Sequence, residues 1–295
     1  MATVFSAPRT ALARGLHIAY EDLGSGNPAV VLIHGAFGSR SHFAAQVEHL
    51  GRRHRVVALD LPGHGDSDLP QEGFRISDFT GDVIAVCEAA GLDGAVLCGH
   101  SFAGAIALEV AAARPDLVAG VVLLDGTILY PEVLRTQALS NFVPVLEGPG
   151  WAEAMQGYLG GRGFGPYDSP DLKARVMQEI GRGPGGLAAP LMRYVLSSDH
   201  ASLIASSDCP LLYIHARVPT DLARLRELRP DALIASVAGS GHWMMLEVPD
   251  QVNAMLDRFL DIVAGISVRV RGVIPGRPPT LARDVRPVAP DDLTT

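Results

Sequence analysis

The chain has 295 residues, of which 48% are hydrophobic and 19% are charged, and its formal net charge is −8 at pH 7. This length and apolar content predict one large α/β domain, or one such domain with an insertion, and argue against global disorder. The acidic balance lacks the basic footprint that nucleic-acid binding requires, so we expect no nucleic-acid partner.

Short apolar runs alternate with helical patterns along the first part of the chain. Two strands are predicted first, over residues 10–13 and 16–20, as an antiparallel pair at a sheet edge. Continuous apolar runs then predict buried parallel strands, with helices between them. These strands cover residues 29–33, 55–59, 95–98 and 120–124. The alternation predicts the α/β fold class, with a doubly wound, mostly parallel sheet.

The alternation stops over residues 128–207, where helical segments are interrupted by clusters of glycine and proline. We predict an inserted helical cap there. Its expected helices cover residues 131–145, 151–159, 171–180 and 187–196.

Strands are expected again over residues 210–215 and 232–237, and the last core helix over residues 249–263. The core domain is therefore assigned to residues 1–127 and 208–264. Residues 265–295 are rich in proline and arginine, and we expect a flexible tail, with 266–270 as a candidate strand.

Ser101 stands where a predicted strand turns into a helix, in the segment LCGHSFAG at residues 97–104. The usual form of such a turn is G-x-S-x-G, and here Gly99 and Ala103 fill the two small positions. The turn is sharp and strained, so it holds the hydroxyl above the sheet and aims backbone N–H groups at the same point. The pattern predicts a nucleophilic serine, although a purely structural turn can have the same local sequence.

Other motifs follow predicted strands in a defined order. They are HGAFG at residues 34–38, DLPGHG at 60–65 and GH at 241–242. Together with GHS at 99–101, they make the chain similar to the α/β-hydrolase fold superfamily, in its branch with a serine nucleophile and a helical cap. The resemblance runs from about residue 16 to residue 264. It implies that Ser101 is the nucleophile and His242 the general base, and it disfavours haloalkane dehalogenase and epoxide hydrolase activity, which need an aspartate at the position of Ser101.

The chemistry of these residues agrees with that assignment. A serine hydroxyl becomes a good nucleophile when a neighbour takes its proton, and a histidine titrates in the appropriate range. The attacked carbonyl oxygen becomes an oxyanion that needs fixed donors. We expect these donors to be the backbone N–H groups of Ala36 and Phe102.

The acid that orients His242 has two candidates. The superfamily usually places it in the loop after the strand at residues 211–214, but Ala216 and Arg217 occupy the expected positions. Asp221 comes later in that loop and directly precedes a helix, where it suits an N-cap. Several branches of the superfamily instead place the acid after the preceding strand, where this chain has Asp125. We favour Asp125 and keep Asp221 as the alternative.

Aromatic residues near the catalytic loops predict an apolar substrate pocket under the cap. The candidates are Phe37, Tyr130, Trp151 and Trp243, although some of them could serve only to pack the cap on the core. The remaining histidines are expected to be structural: His34 and His64 to hold loops, and His100 to point away from the pocket.

Three functions remain open from the sequence. The first is a serine hydrolase that cleaves an ester, thioester or lactone of a small apolar substrate through an acyl-enzyme, as in a carboxylesterase or lactonase. The second is a cofactor-free dioxygenase or C–C bond hydrolase of the same fold, in which the His–Asp pair acts as the base. The third is a non-catalytic ligand-binding protein, which the Ser101 and His242 motifs argue against.

We expect a small-molecule substrate and neither cofactor nor metal. Cys87, Cys98 and Cys209 are widely spaced and predict free thiols rather than a disulfide framework. The first residues lack the apolar region of a secretory signal, and no apolar run has the length of a membrane span. A cytoplasmic location without membrane association is therefore expected, and the oligomeric state is left open.

Overall fold

The computed structural model describes residues 7–71, 73–198 and 200–271, and for residues 266–271 the backbone alone. The strands are β1 (Arg9–Ala13), β2 (Leu16–Leu23), β3 (Val30–Ile33), β4 (Val56–Leu59), β5 (Ala95–His100), β6 (Val118–Leu124), β7 (Leu211–His215) and β8 (Leu233–Ser236). They form an eight-stranded sheet in the order β1-β2-β4-β3-β5-β6-β7-β8.

The sheet is mostly parallel. Strands β3 to β8 pair in parallel with one another, whereas β2 pairs antiparallel with both β1 and β4. The central strands β3, β4 and β5 are buried at every position. This burial explains their continuous apolar sequences, and the predicted fold class is confirmed.

Helices cover the sheet and connect its parallel strands. Those outside the β6–β7 connection are α1 (Ala44–Leu50), α2 (Asp78–Ala89), α3 (Ala103–Ala113), α10 (Leu222–Leu228), α11 (Met244–Glu247) and α12 (Pro249–Arg271). Helices α1, α11 and α12 pack on one another, and α2 packs on α3. Because the parallel strands all end at the same edge, the loops after β3, β5, β6 and β7 meet there.

The connection from β6 to β7 carries the predicted helical insertion. Its helices are α4 (Glu132–Gln137), α5 (Val143–Leu146), α6 (Trp151–Arg162), α7 (Pro170–Arg182), α8 (Ala188–Ser197) and α9 (His200–Ser206). The first predicted helix is divided, because a wider helical turn over Ala138–Phe142 separates α4 from α5. Helix α9 lies outside the four helices expected from the sequence. Whether residues 128–207 act as a separate cap domain stays a prediction.

The end of the last helix differs from the prediction. Helix α12 continues through Gly265 to Arg271, so residues 266–270 are helical and do not form the candidate strand. An interior glycine costs a helix only about 1 kcal/mol relative to alanine, and a helix that is already nucleated extends readily past it. The rest of the predicted tail, residues 272–295, lies outside the described residues.

Neither membrane-spanning helices nor disulfide bonds occur among the residues that the structure describes. The helices found there lack the combination of length and hydrophobicity that a bilayer span requires. Cys87, Cys98 and Cys209 are free thiols, and the first two are buried.

Candidate active site

Ser101 lies in a strained turn between β5 and α3. Its φ angle is +57°, in the left-handed region that residues other than glycine rarely adopt. The turn also requires a close approach of strand and helix, since a Cβ atom on Gly99 would lie 2.2 Å from the carbonyl oxygen of Ala103. Ala103, at the second small position, is fully buried.

His242 forms a short hydrogen bond with Asp125. The distance from His242 Nδ1 to Asp125 Oδ2 is 2.7 Å, and Asp125 is fully buried. A carboxylate only accepts hydrogen bonds, so the neutral ring carries its proton on Nδ1 and leaves the lone pair on Nε2. The imidazole is therefore held in the tautomer that a general base needs.

Asp125 is held by the backbone of the neighbouring loop. It directly follows β6, and its carboxylate accepts hydrogen bonds from the N–H groups of Ala216, Arg217 and Val218 at 2.7–3.2 Å. The loop after β7 therefore donates hydrogen bonds to an acid that follows the adjacent strand, β6. This arrangement does not need a carboxylate at the usual position in the loop after β7.

Asp221, the alternative acid, is engaged elsewhere. Its Oδ1 accepts the backbone N–H of Arg224 at 2.9 Å and caps the N-terminus of α10. The structure thus brings Asp125, and not Asp221, to His242.

Ser101 and His242 line the same cavity. The Ser101 hydroxyl forms no hydrogen bond with any residue that the structure describes. Hydrogen bonds between a nucleophile and its base are often long in unliganded enzymes and shorten when substrate binds.

The two expected oxyanion donors also line this cavity. Among the described residues, neither the Ala36 nor the Phe102 backbone N–H has a hydrogen-bond acceptor, so both remain available. Gly35 allows the two loops to approach, because a Cβ atom there would lie 2.5 Å from His100 Nδ1 and 3.1 Å from the Cβ of Ser101.

His34 and His64 hold the loop that carries Ala36, as expected for structural histidines. His34 Nδ1 donates to the carbonyl of Gly35, and its Nε2 accepts the N–H of Leu61. His64 Nδ1 donates to the carbonyl of Pro62, and its Nε2 accepts the N–H of Phe37. In both rings, Nε2 must be unprotonated to accept its hydrogen bond, and only neutral histidine has an unprotonated ring nitrogen.

Burial lowers the pKa of both histidines. The pKa of His64 falls from 6.5 to about 4, and that of His34 falls well below 6.5, with the nearby His64 as a second cause. A pKa lowered by folding means that the unfolded chain binds protons more readily in acid.

Stability should therefore be constant above about pH 6.5 and fall as the pH drops towards about 4. The shift of His64 from 6.5 to about 4 corresponds to roughly 3 kcal/mol of unfolding free energy over that interval. Urea unfolding at a series of pH values measures this slope. His64→Gln keeps a donor and an acceptor without the titration and should reduce this slope, leaving the part that His34 and His100 contribute; an unchanged slope would contradict the assignment.

His100 does not point away from the pocket, so that expectation is wrong. It ends β5, lines the cavity and lies 4.4 Å from the His242 ring, centre to centre. Its Nε2 donates to the backbone carbonyl of His242 at 2.9 Å. Burial, and then the proximity of His242, hold its pKa well below 6.5, so His100 is neutral. The strand extends through His100 and turns only at Ser101, which directs this side chain towards the loop of His242.

Residues of the insertion hold the His242 loop in place. The N–H of His242 donates to the carbonyl of Gly163 at 2.6 Å, and the N–H of Gly241 donates to Asp168 at 2.9 Å. The Trp243 ring stacks on Phe164 with 4.6 Å between ring centres. The position of the base therefore depends on the segment after α6.

The cavity has a volume of about 80 Å³ and a mostly apolar wall. Of the predicted pocket residues, Phe37, Tyr130 and Trp243 line it. Trp151 does not, which corrects the prediction; it stacks behind Phe37, with 5.7 Å between ring centres. Its large ring fills space between the insertion and the core instead of facing the cavity.

Several other residues line the cavity without a local signal in the sequence. They include Thr127, Met155, Tyr158, Leu159, Arg162, Leu191, Met192, Val195, Arg217 and Pro219. Among these residues, Arg217 and Pro219 lie in the loop after β7, where the superfamily usually places the catalytic acid, and this position marks that loop as part of the site. The rest come mainly from α6 and α8, and their direction depends on how the insertion packs.

Comparisons with known proteins agree with this architecture. The model of the alpha/beta hydrolase family matches residues 30–255. The 2-(acetamidomethylene)succinate hydrolase of Mesorhizobium japonicum is 28% identical over 260 residues, which cover 81% of this chain and 89% of the relative. The (E)-2-((N-methylformamido)methylene)succinate hydrolase of Acinetobacter baylyi is 34% identical over 129 residues, 44% of this chain and 49% of the relative.

A solved structure is similar over most of the chain. The malate-bound structure of a thermophilic esterase from Thermogutta terrifontis superposes with a TM-score of 0.72 at 25% identity. The match covers 88% of this chain and 98% of the esterase.

Proposed function

Because the chain belongs to the alpha/beta hydrolase family, we propose that it is a serine hydrolase that cleaves an ester, thioester or lactone bond of a small substrate through an acyl-enzyme. The observation that carries the proposal is the 2.7 Å hydrogen bond between His242 and Asp125, beside a cavity that Ser101 also lines. The esterase and hydrolase names of similar proteins support the same reaction class.

Acylation begins with attack of Ser101 Oγ on the carbonyl carbon of the substrate. The hydroxyl proton moves to His242 Nε2, and Asp125 stabilises the imidazolium that forms. The carbonyl oxygen becomes an oxyanion, which the N–H groups of Ala36 and Phe102 receive. When the tetrahedral intermediate collapses, His242 returns the proton to the departing alcohol or thiol, and the acyl group stays on Ser101.

Deacylation repeats these steps with water. His242 takes a proton from the water molecule as its oxygen attacks the acyl carbon, and then returns a proton to Ser101 Oγ. The apolar side chains of α6 and α8 line the cavity beside Ser101, so they would cover the bound acyl group.

A second candidate is chemistry in which the His–Asp pair abstracts a proton from the substrate, as in a cofactor-free dioxygenase or a C–C bond hydrolase. One observation favours it: the bond between His242 and Asp125 is formed, whereas the Ser101 hydroxyl makes no hydrogen bond to a described residue. In the dioxygenase case, Ser101 would hold the substrate and would not become acylated.

Substrate profiling with an oxygen electrode separates the two candidates. We expect hydrolysis of short-chain p-nitrophenyl esters, or of small lactones, without oxygen consumption. Oxygen uptake with release of carbon monoxide from an N-heteroaromatic compound, and no ester or lactone hydrolysis, would favour the dioxygenase and contradict the proposal.

A further inference from the structure

Two arginines belong to the cavity wall that Ser101 and His242 share. Arg162 is the last residue of α6, and Arg217 lies in the loop after β7. The lining residues that the structure describes include no carboxylate, so Arg162 and Arg217 are the charged groups of an otherwise mostly apolar wall. This local positive charge contrasts with the net charge of −8 for the chain.

Neither guanidinium is neutralised by an acid among the residues that the structure describes. Arg217 Nε donates to the backbone carbonyl of Arg162 at 3.1 Å, which leaves its Nη groups available. The Arg162 guanidinium lies 4.9 Å from the centre of the Tyr158 ring. An aromatic face and a carbonyl hold these side chains in place without compensating either charge.

Both arginines are tied to the catalytic histidine and its acid through the backbone. The N–H of Arg217 donates to Asp125, the carboxylate that holds His242. Gly163, which directly follows Arg162, accepts the N–H of His242. The two charges are therefore anchored to the groups that would carry out the reaction.

We propose that Arg162 and Arg217 form an anion subsite that selects substrates with a carboxylate remote from the scissile carbonyl. The planar fork of a guanidinium matches a carboxylate and forms charge-assisted hydrogen bonds with it. The two guanidinium groups lie on the same cavity wall as Ser101, so a carboxylate held by them would belong to the same molecule as the scissile carbonyl. The inference rests on the proposed function, which it deepens by naming the substrate class.

A pair of esters that differ in one charge tests the subsite. The probes are p-nitrophenyl hemisuccinate, which carries a carboxylate, and p-nitrophenyl butyrate, a neutral ester of similar length. The readout is the ratio of their kcat/KM values, since a loosened insertion would lower both rates together and leave the ratio unchanged.

We expect the ratio of hemisuccinate to butyrate to fall by about tenfold to a hundredfold in the double variant Arg162→Gln/Arg217→Gln. Each single variant should have part of the effect. Because both arginines are exposed to solvent, high salt should also reduce the wild-type ratio. Arg226→Gln, which removes an exposed positive charge from α10 outside the cavity, is the matched control and should leave the ratio unchanged. A double-variant ratio within about twofold of wild type would overturn the subsite.

Binding of succinate by calorimetry tests the subsite without catalysis. If the wild type hydrolyses no ester, thioester or lactone, the proposed function fails, and the binding measurement then decides on the subsite alone. The inference stands in that case if the wild type binds succinate and the double variant binds it at least about tenfold more weakly. It is wrong if succinate does not bind, or binds both proteins equally.

Discussion

Replacing Asp125 with asparagine is expected to lower kcat by about ten-thousand-fold, the effect seen when a serine protease loses the equivalent carboxylate. The asparagine side chain would still accept the N–H of Ala216, but its amide NH₂ would take the place of Oδ2 beside His242 Nδ1. An NH₂ group donates, so it favours the tautomer with the proton on Nε2. That tautomer does not accept the proton of Ser101.

The measurement is steady-state hydrolysis of a p-nitrophenyl ester, with the melting temperature followed in parallel to check that the variant folds. Asp221→Asn is the matched control, since it makes the same chemical change in the other candidate acid. Asparagine also caps helices well, so its kcat should stay within about twofold of wild type. If Asp221→Asn were the variant that lost activity, the assignment of the acid would be wrong.

Ser101→Ala is expected to reduce kcat by about a million-fold, as removal of the nucleophile does in serine proteases. The hydroxyl makes no hydrogen bond with the described residues, and alanine adopts the φ of +57° about as readily as serine. The melting temperature should therefore stay close to that of the wild type.

Ser77→Ala is the control for Ser101→Ala, because Ser77 is exposed and its side chain forms no cap hydrogen bond at the start of α2. It should leave kcat unchanged. If Ser101→Ala kept full activity in cleaving an N-heteroaromatic ring, the serine would only hold substrate, and the His242–Asp125 pair alone would perform the chemistry.

The sheet could be predicted from the sequence because its signals are local. Runs such as Val30–Ile33 and Val121–Leu124 are apolar at every position, as strands buried on both faces must be, and glycine-containing motifs mark where they end. Asp125 could be favoured for the same reason, since it directly follows such a run. The absence of a carboxylate at positions 216 and 217 can also be read locally, and it indicates that the acid lies elsewhere.

The rest of the site depends on contacts between distant parts of the chain. His100 and His242 are 142 positions apart, and nothing in the sequence around either residue indicates that their rings touch. Likewise, the carbonyl of Gly163 supports His242 only because the end of α6 packs beside that loop. Residues of the insertion that reach the cavity, such as Arg162, are therefore set by tertiary packing and not by a local pattern.

Labelling with a fluorophosphonate, followed by peptide mass spectrometry, tests the central claim most directly. The reagent reacts with serines activated by a neighbouring base, so we expect a single adduct on the peptide that contains Ser101. Labelling should be lost in Ser101→Ala and strongly slowed in Asp125→Asn. An adduct at another residue, or an unlabelled Ser101 in an enzyme that hydrolyses esters, would contradict a nucleophilic Ser101 activated by His242 and Asp125.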